Sequence, residues 1–256
     1  MKQLLGLFVL FISFNQPVFA EAPIMKRELA IVIDDLGNHM EGTEEILELP
    51  ITLTAAIMPF MPSTKADAEL ANRNGHDVIV HLPMEPKKGK KSWLGPGAIT
   101  TDLSDEEIRK RVVAAIKDVP HAIGMNHHMG SKATEDERVM RIVLEVCKEY
   151  GFFYLDSKTT GKSVVGKIAN QLNLPYLENN LFFDDVYTTR HVTKQANLLA
   201  GKLNKSDQLI AIGHVGVSGP IMVSVLHAYI PVYKNKAELV PLSKLIPGYE
   251  LLDEGI

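Results

Sequence analysis

Short apolar segments recur along the chain, and nearly every one of them ends in a residue that can bind a metal or move a proton. Seven such segments alternate with helix-like segments between Leu29 and Ile212. This alternation predicts a parallel α/β sheet, in which right-handed crossovers bring all the carboxyl ends of the strands to one rim. Residues far apart in sequence then become neighbours there. The residues at these ends are Asp34 and Asp35, His81, Asn126 and His128, Asp156, Asp184 and Asp185, and His214.

The boundaries of the predicted elements follow from β-branched runs, capping residues and glycine or proline breaks. The predicted strands are residues 29–33, 51–57, 77–80, 122–125, 152–155, 181–183 and 209–212. The predicted helices begin after Ser63, at the capping boxes Ser104–Glu107 and Thr134–Glu137, and at Val164, Val192 and Met222. The tail from Glu238 to Leu252 is predicted to add a last short strand and a turn.

The composition is that of an ordinary globular domain, with 46% hydrophobic and 23% charged residues and a net charge of −4. Without a basic excess, the chain is not expected to bind nucleic acid. No flexible linker or internal repeat interrupts residues 29–256, so we expect one domain there. Cys147 is the only cysteine, which excludes an intramolecular disulfide.

The first residues have the pattern of a bacterial export signal. Lys2 precedes an apolar run from Leu4 to Phe14, and Val18 and Ala20 are small residues at the −3 and −1 positions of a cut after Ala20. We therefore expect a signal peptide over residues 1–20, a tether over 21–28, and a periplasmic or extracellular protein without a transmembrane domain after cleavage. An uncleaved membrane anchor is the alternative. The oligomeric state is left open.

An aspartate and two histidines at one rim form a suitable ligand set for a divalent cation such as zinc. Because side chains alternate along a strand, Asn126 and His128 should point the same way and His127 the other way. This favours His128 over His127 as a ligand. The adjacent pair Asp34 and Asp35 could supply one ligand and one base.

The motifs at the strand ends resemble those of the divergent polysaccharide deacetylase family, in the same order, from about Ala30 to His214. The resemblance implies an α/β fold of the carbohydrate esterase kind, a distorted seven-stranded (β/α) barrel. The matching stretches are Val32–Gly37 (VIDDLG), His81–Pro86 (HLPMEP), Asn126–Ser131 (NHHMGS), Leu155–Lys158 (LDSK) and Ile212–His214 (IGH).

The resemblance also implies roles for individual residues. It makes Asp34 the base, Asp35 and His81 metal ligands, and His214 the acid. The related carbohydrate esterases have a second ligand histidine four residues after the first, where this chain has Glu85, and they have an arginine-and-proline motif that is absent here. We expect His128 to replace the missing ligand.

The remaining rim residues receive provisional roles from their position. Asp156 is placed with Asp34 and His214 among the catalytic residues. The predicted substrate contacts are Asn126, Glu85, Trp93 and Asp184. Trp93 is the only tryptophan and lies in a lysine- and glycine-containing loop, where an exposed ring could stack on a sugar.

The function predicted from these residues is that of an exported metal-dependent hydrolase that removes acetyl groups from a cell-envelope polysaccharide. The main alternative is a catalytically decayed barrel that binds a glycan without cutting it. A metal-dependent hydrolase of another bond, such as a peptide amide, would use the same chemistry.

Overall fold

A computed structural model describes residues 27–247 and 249. The predicted signal peptide and nearly all of the tether lie outside these residues. The strands are β1 (Glu28–Leu36), β2 (Thr54–Ile57), β3 (Asp77–Met84), β4 (Ala122–Met129), β5 (Phe153–Asp156), β6 (Tyr176–Glu178), β7 (Leu181–Phe182), β8 (Gln208–His214) and β9 (Glu238–Leu239). The helices are α1 (Thr43–Leu47), α2 (Thr64–Arg73), α3 (Asp105–Asp118), α4 (Glu137–Glu149), α5 (Val165–Leu172), α6 (Thr189–Lys202) and α7 (Gly219–Lys234).

The strands of the described residues form one parallel sheet with the order β6-β5-β4-β3-β2-β1-β8-β7, and β9 adds to β1. The two edge strands are consecutive in the chain. Between them, the backbone N–H of Asn179 donates to Asp156 O on β5, and that of Asn180 donates to Ile210 O on β8. β6 and β7 therefore act as one broken strand that curls the sheet towards a barrel. The predicted distorted (β/α) barrel is confirmed.

Alternation along the strands separates two layers of apolar side chains. One layer lies inside the curled sheet and includes Ala30, Val32, Ile79, Ile210 and Ile212. The other lies between the sheet and the helices and forms the larger core. In β1, β3 and β8, the residue two positions after the last of these inward-facing residues lies at the carboxyl end of the strand. Because side chains alternate along a strand, that polar residue also faces the barrel axis.

The opposite end of the barrel is closed by the chain after β9. Val240, Leu242 and Leu245 join the inner apolar layer there. Buried Asp77, at the start of β3, accepts hydrogen bonds from the backbone N–H of Ser243 at 2.8 Å and from its hydroxyl at 3.1 Å. The apolar plug leaves the carboxyl ends of the strands as the functional rim.

Several boundaries differ from the sequence prediction. β1, β3, β4 and β8 extend through their polar ends, because neighbouring strands satisfy the backbone of those residues too. Helix α1 was not predicted, since its five residues are too few for a periodic pattern. Helix α4 is capped by Asp136, whose side chain accepts from Val139 N, and not by Thr134, whose hydroxyl donates to Gly130 O.

Helix α7, together with the turn before it, is long and apolar enough to cross a membrane by length and composition alone. Met222, Val225, Leu226, Ile230 and Tyr233 of this helix are buried in the larger core. A core helix of this kind passes the same test as a membrane span.

Candidate metal centre

The end of β1 brings two adjacent carboxylates to the same side of the sheet. Asp34 continues the inner row of Ala30 and Val32, so regular alternation would turn Asp35 outwards. The register of β1 against β2 shifts between Ile33 and Leu36, and Asp35 has a left-handed φ of 68°. Such a bulge re-aims a side chain and is strained for a non-glycine residue, which is common at functional sites. It lets Asp35 face the rim beside Asp34.

Two histidines from β3 and β4 meet Asp35 there. Nε2 of His81 lies 3.2 Å and Nδ1 of His128 lies 2.8 Å from Asp35 Oδ1. The three potential ligand atoms all lie within 4.8 Å of one another. The structure therefore brings together the three residues that were predicted from the sequence as ligands, close enough to share one ion.

The orientation of His81 is fixed from behind by a buried amide. Asn126 donates from Nδ2 to Asp34 Oδ1 at 2.8 Å, so its Oδ1 is the acceptor facing His81 Nδ1 at 2.7 Å. A carboxylate can only accept, which sets the direction of this chain of bonds. Nδ1 of His81 consequently carries the proton, and in the neutral ring Nε2 presents its lone pair to Asp35.

The orientation of His128 is fixed in the same manner by a backbone carbonyl. Its Nε2 lies 3.1 Å from Trp93 O, which has no proton to give. Nε2 must therefore donate, and in the neutral ring Nδ1 presents a lone pair to Asp35. Outer partners that hold the second ring nitrogen are typical of histidines that ligate a metal.

The donor set fits a divalent cation because, with both rings neutral, three electron pairs converge and no proton lies between them. His81 is only 1% exposed, and its Nε2 is a buried polar atom without a hydrogen-bond partner among the described residues. Two imidazoles and one carboxylate suit zinc and its neighbours, and three protein ligands leave coordination positions open.

The electrostatics of the cluster also favour a positive charge. Burial by itself raises the pKa of the Asp35 carboxyl, but its close contacts with His128 and His81 outweigh burial and hold this pKa well below its usual value. Burial lowers the pKa of His81, but the charges of Asp34 and Asp35 outweigh it and raise this pKa. The carboxylates thus stabilise a cation here, whether proton or metal.

A second histidine and carboxylate lie at the end of β8. Nδ1 of His214 is 2.8 Å from Asp184 Oδ1, while the His214 backbone N–H and the Ser218 hydroxyl donate to Asp184 Oδ2 at 2.9 and 2.5 Å. Burial lowers the pKa of His214, but the bond to Asp184 and its charge outweigh it and raise this pKa to about 10. Nδ1 therefore donates to Asp184, and the ring is held as a protonated group.

His127 and Asp156 lie on the outer side of the sheet. His127 Nε2 accepts from Ser157 N at 3.2 Å and lies 3.3 Å from Asp156 Oδ1, and His127 Nδ1 donates to Met129 O. His127 therefore faces away from the cluster, as alternation predicts. Asp156 is 1% exposed and contacts His127 on that outer side, so the structure does not bring this predicted catalytic residue to the cluster. It follows Leu155 of the inner row, so its side chain turns outwards.

Three of the four predicted substrate contacts have structural roles. Asn126 and Asp184 are 0% exposed and are occupied by the bonds described above. Glu85 accepts from Thr101 N and Oγ1 through Oε2, and from Lys132 through Oε1, which pins the chain before α3. The structure thus engages these three residues in contacts within the protein, and their role in substrate binding stays a prediction. The fourth residue, Trp93, is 57% exposed.

Two contacts of the rim histidines were not predicted from the sequence. The Trp93 carbonyl has no side-chain signature, and only the fold could place it against His128. The contact of Asp184 with His214 joins residues 30 positions apart, and only the fold could show it. A cleft of about 890 Å³ lies elsewhere, between the loop at His39 and Glu41 and helix α2, and is not lined by the cluster.

Comparison with known proteins agrees with this geometry. A family model described as "Divergent polysaccharide deacetylase" matches residues 31–246. An uncharacterised protein of Haemophilus influenzae is 34% identical over 235 residues, which are 92% of this chain and 82% of the relative.

Solved structures show the same fold at lower identity. An uncharacterised protein from Agrobacterium tumefaciens has a TM-score of 0.80 at 18% identity, covering 88% of this chain and 92% of that one. The chitin deacetylase of the fungus Colletotrichum lindemuthianum has a TM-score of 0.54 at 13% identity, covering 90% of this chain and 91% of that one. At these identities the likeness concerns the fold.

Proposed function

Since the chain belongs to the divergent polysaccharide deacetylase family, we propose that it is an exported, metal-dependent hydrolase that removes acetyl groups from a cell-envelope carbohydrate. The fungal chitin deacetylase has the same fold, which supports a deacetylase reaction on this scaffold. Export rests on the predicted signal peptide over residues 1–20.

One observation carries the metal dependence. Asp35 Oδ1, His81 Nε2 and His128 Nδ1 face one another, while the second nitrogen of each ring is committed to Asn126 or to the Trp93 carbonyl. A purely structural cluster would supply a proton to each of these contacts. A bound divalent ion supplies Lewis-acid chemistry, polarising a carbonyl and making water more acidic. Zinc is the proposed ion because its usual ligands are these.

The residues beside the ligands provide a base and an acid. Asp34 accepts from Asn126 and lies next to Asp35, where its carboxylate can take a proton from the attacking water. His214 is held protonated by Asp184, which bonds its Nδ1. Its ring is exposed enough to give the proton on Nε2 to the leaving nitrogen or oxygen. The two residues thus divide general base and general acid catalysis between neighbouring strands, β1 and β8.

Metal analysis followed by an acetate-release assay tests the proposal. Purified protein, loaded with zinc, would be incubated with N-acetylated and O-acetylated glycans, and released acetate would be measured before and after a chelator. We expect release that stops with the chelator and returns with zinc. Glycan binding without acetate release from any substrate would instead favour the binding-module alternative.

A further inference from the structure

The segment between β3 and α3 concentrates positive charge beside the candidate metal centre. We call residues 87–97 the lysine loop, because Lys87, Lys88, Lys90 and Lys91 occupy four of its first five positions. The whole chain has a net charge of −4, so this loop opposes the overall charge. Local charge of this kind selects the sign of a ligand.

Two contacts hold the lysine loop against the cluster. The Trp93 carbonyl accepts from His128 Nε2 at 3.1 Å. At Gly89, where φ is 139°, an added Cβ would lie 3.7 Å from Met129 Cε and 3.7 Å from the Trp93 ring. The basic turn therefore packs on the residue next to His128. Any ligand held by this loop lies beside the reacting group.

Two of its ammonium groups have no carboxylate partner among the described residues. Lys87 pairs with Glu135 at 2.6 Å, and the nearby Glu85 is taken by Lys132 at 2.8 Å. Lys88 and Lys90 have no carboxylate partner within residues 27–247. Glu135 and Glu85 are thus already paired with other lysines, and an anionic ligand at Lys88 and Lys90 would meet positive charge.

The same loop offers an apolar platform. The Trp93 ring is largely exposed, and Lys90 Nζ lies 5.7 Å from its centroid. An exposed indole can stack on the apolar face of a sugar, and the Lys90 ammonium over the same ring adds a positive charge beside that stacking surface. Platform and charge are therefore one unit.

From these contacts we infer that the substrate is an anionic glycan, in which one sugar unit stacks on Trp93 and an acidic group on that unit or the next pairs with Lys88 and Lys90. The inference rests on the proposed function for the identity of the reacting acetyl group. It adds the charge of the polymer, which the metal centre itself does not specify.

Trp93 provides a probe of this site that does not depend on turnover, because it is the only tryptophan in the chain. Its fluorescence would be followed in titrations of zinc-loaded protein with two oligosaccharides of equal length. One is an uncharged N-acetylglucosamine oligomer, and the other alternates N-acetylglucosamine with a uronic acid. Acetate release from both would be measured in parallel.

We expect the acidic oligomer to half-saturate the fluorescence change at a concentration lower by about fivefold at low salt, as two partly exposed ion pairs would provide. The difference should vanish in 0.5 M salt, at a screening length of about 4 Å. The double variant K88E/K90E should reverse the preference. The matched control K110E/K117E, with the same charge change on exposed positions of α3, should keep it.

Equal half-saturation by the two oligomers, or a preference that K88E/K90E leaves unchanged, would overturn the inference. A charge preference in the fluorescence without acetate release from either oligomer would leave the recognition standing and remove the proposed hydrolysis. Acetate release from both oligomers without a charge preference would leave the proposed hydrolysis standing and remove the proposed recognition of an anionic glycan.

Discussion

Two histidine–carboxylate contacts of equal length lie at the rim and have opposite chemistry. His128 Nδ1 lies 2.8 Å from Asp35, and His214 Nδ1 lies 2.8 Å from Asp184. The second nitrogen of His128 already donates to a backbone carbonyl, whereas Nε2 of His214 has no acceptor among the described contacts. Nδ1 of His214 can therefore donate a hydrogen bond to Asp184, while Nδ1 of a neutral His128 has no proton to donate to Asp35. The partner of the second ring nitrogen decides whether the contact between histidine and carboxylate is a hydrogen bond or a pair of metal ligands.

Replacing His128 and His214 in turn is the strongest test of this difference between them. His128→Ala should lose the metal, with an affinity loss beyond the roughly 10–100-fold typical of outer partners, and should lose turnover with it. His214→Ala should keep the metal. Zinc content after dialysis, measured by mass spectrometry, checks both variants. Equal metal loss in the two would mean that His214 is also a ligand.

The second largest effect concerns catalysis without metal loss. His214→Ala and Asp34→Asn should each lower kcat by about 10²–10⁴-fold, because an acid and a base act in the transition state. Acetate release by zinc-loaded variants measures this effect, with circular dichroism as the folding control. If Asp34→Asn empties the metal site instead, the roles within the aspartate pair are reversed.

Removing the amide behind His81 should have a smaller effect. Asn126→Leu leaves the volume similar but removes the acceptor that keeps Nδ1 protonated and Nε2 free. Zinc affinity should fall by about 10–100-fold, as for other outer partners. Competition with a chromogenic chelator measures it. Ser157→Ala is the control, since the 3.5 Å contact of Ser157 with Asn126 is long, and it should change zinc affinity little.

The smallest effect is a change in pH dependence. Asp184→Asn should lower the pKa of His214 from about 10, which nuclear magnetic resonance of the metal-free protein can follow. A histidine with a raised pKa contributes stability that is complete below its unfolded pKa of about 6.5 and is lost as pH rises through about 10. The variant should therefore be most destabilised relative to wild type below pH 6.5, and the difference should shrink by pH 10. A constant difference across this range would contradict the assignment.

The fold was largely predictable because its signals are local. Apolar runs with β-branched residues marked six of the seven strand positions closely, and Ser104 caps α3 as predicted, accepting from Glu107 N at 3.2 Å. Non-local features were missed. The split of one strand into β6 and β7 depends on its pairing with β5 first and β8 afterwards, which no local pattern encodes.

The sequence by itself determined which side chains face the barrel axis. Strand alternation puts Asp34, His81, Asn126, His128 and His214 inside, and puts His127 and Asp156 outside, because successive residues of a strand point to opposite faces. The same rule places Asp156 on the face opposite to Asp34 and His214, the residues with which it was grouped as catalytic.

Only the tertiary structure decided how those side chains combine. The bulge that turns Asp35 inwards arises from pairing with β2, and the hydrogen bonds that fix each histidine come from Asn126, the Trp93 carbonyl and Asp184. Sequence patterns report the direction of a side chain along its own strand. Which ring nitrogen keeps a lone pair depends on partners brought from other strands and loops, so it becomes defined only when the barrel has formed.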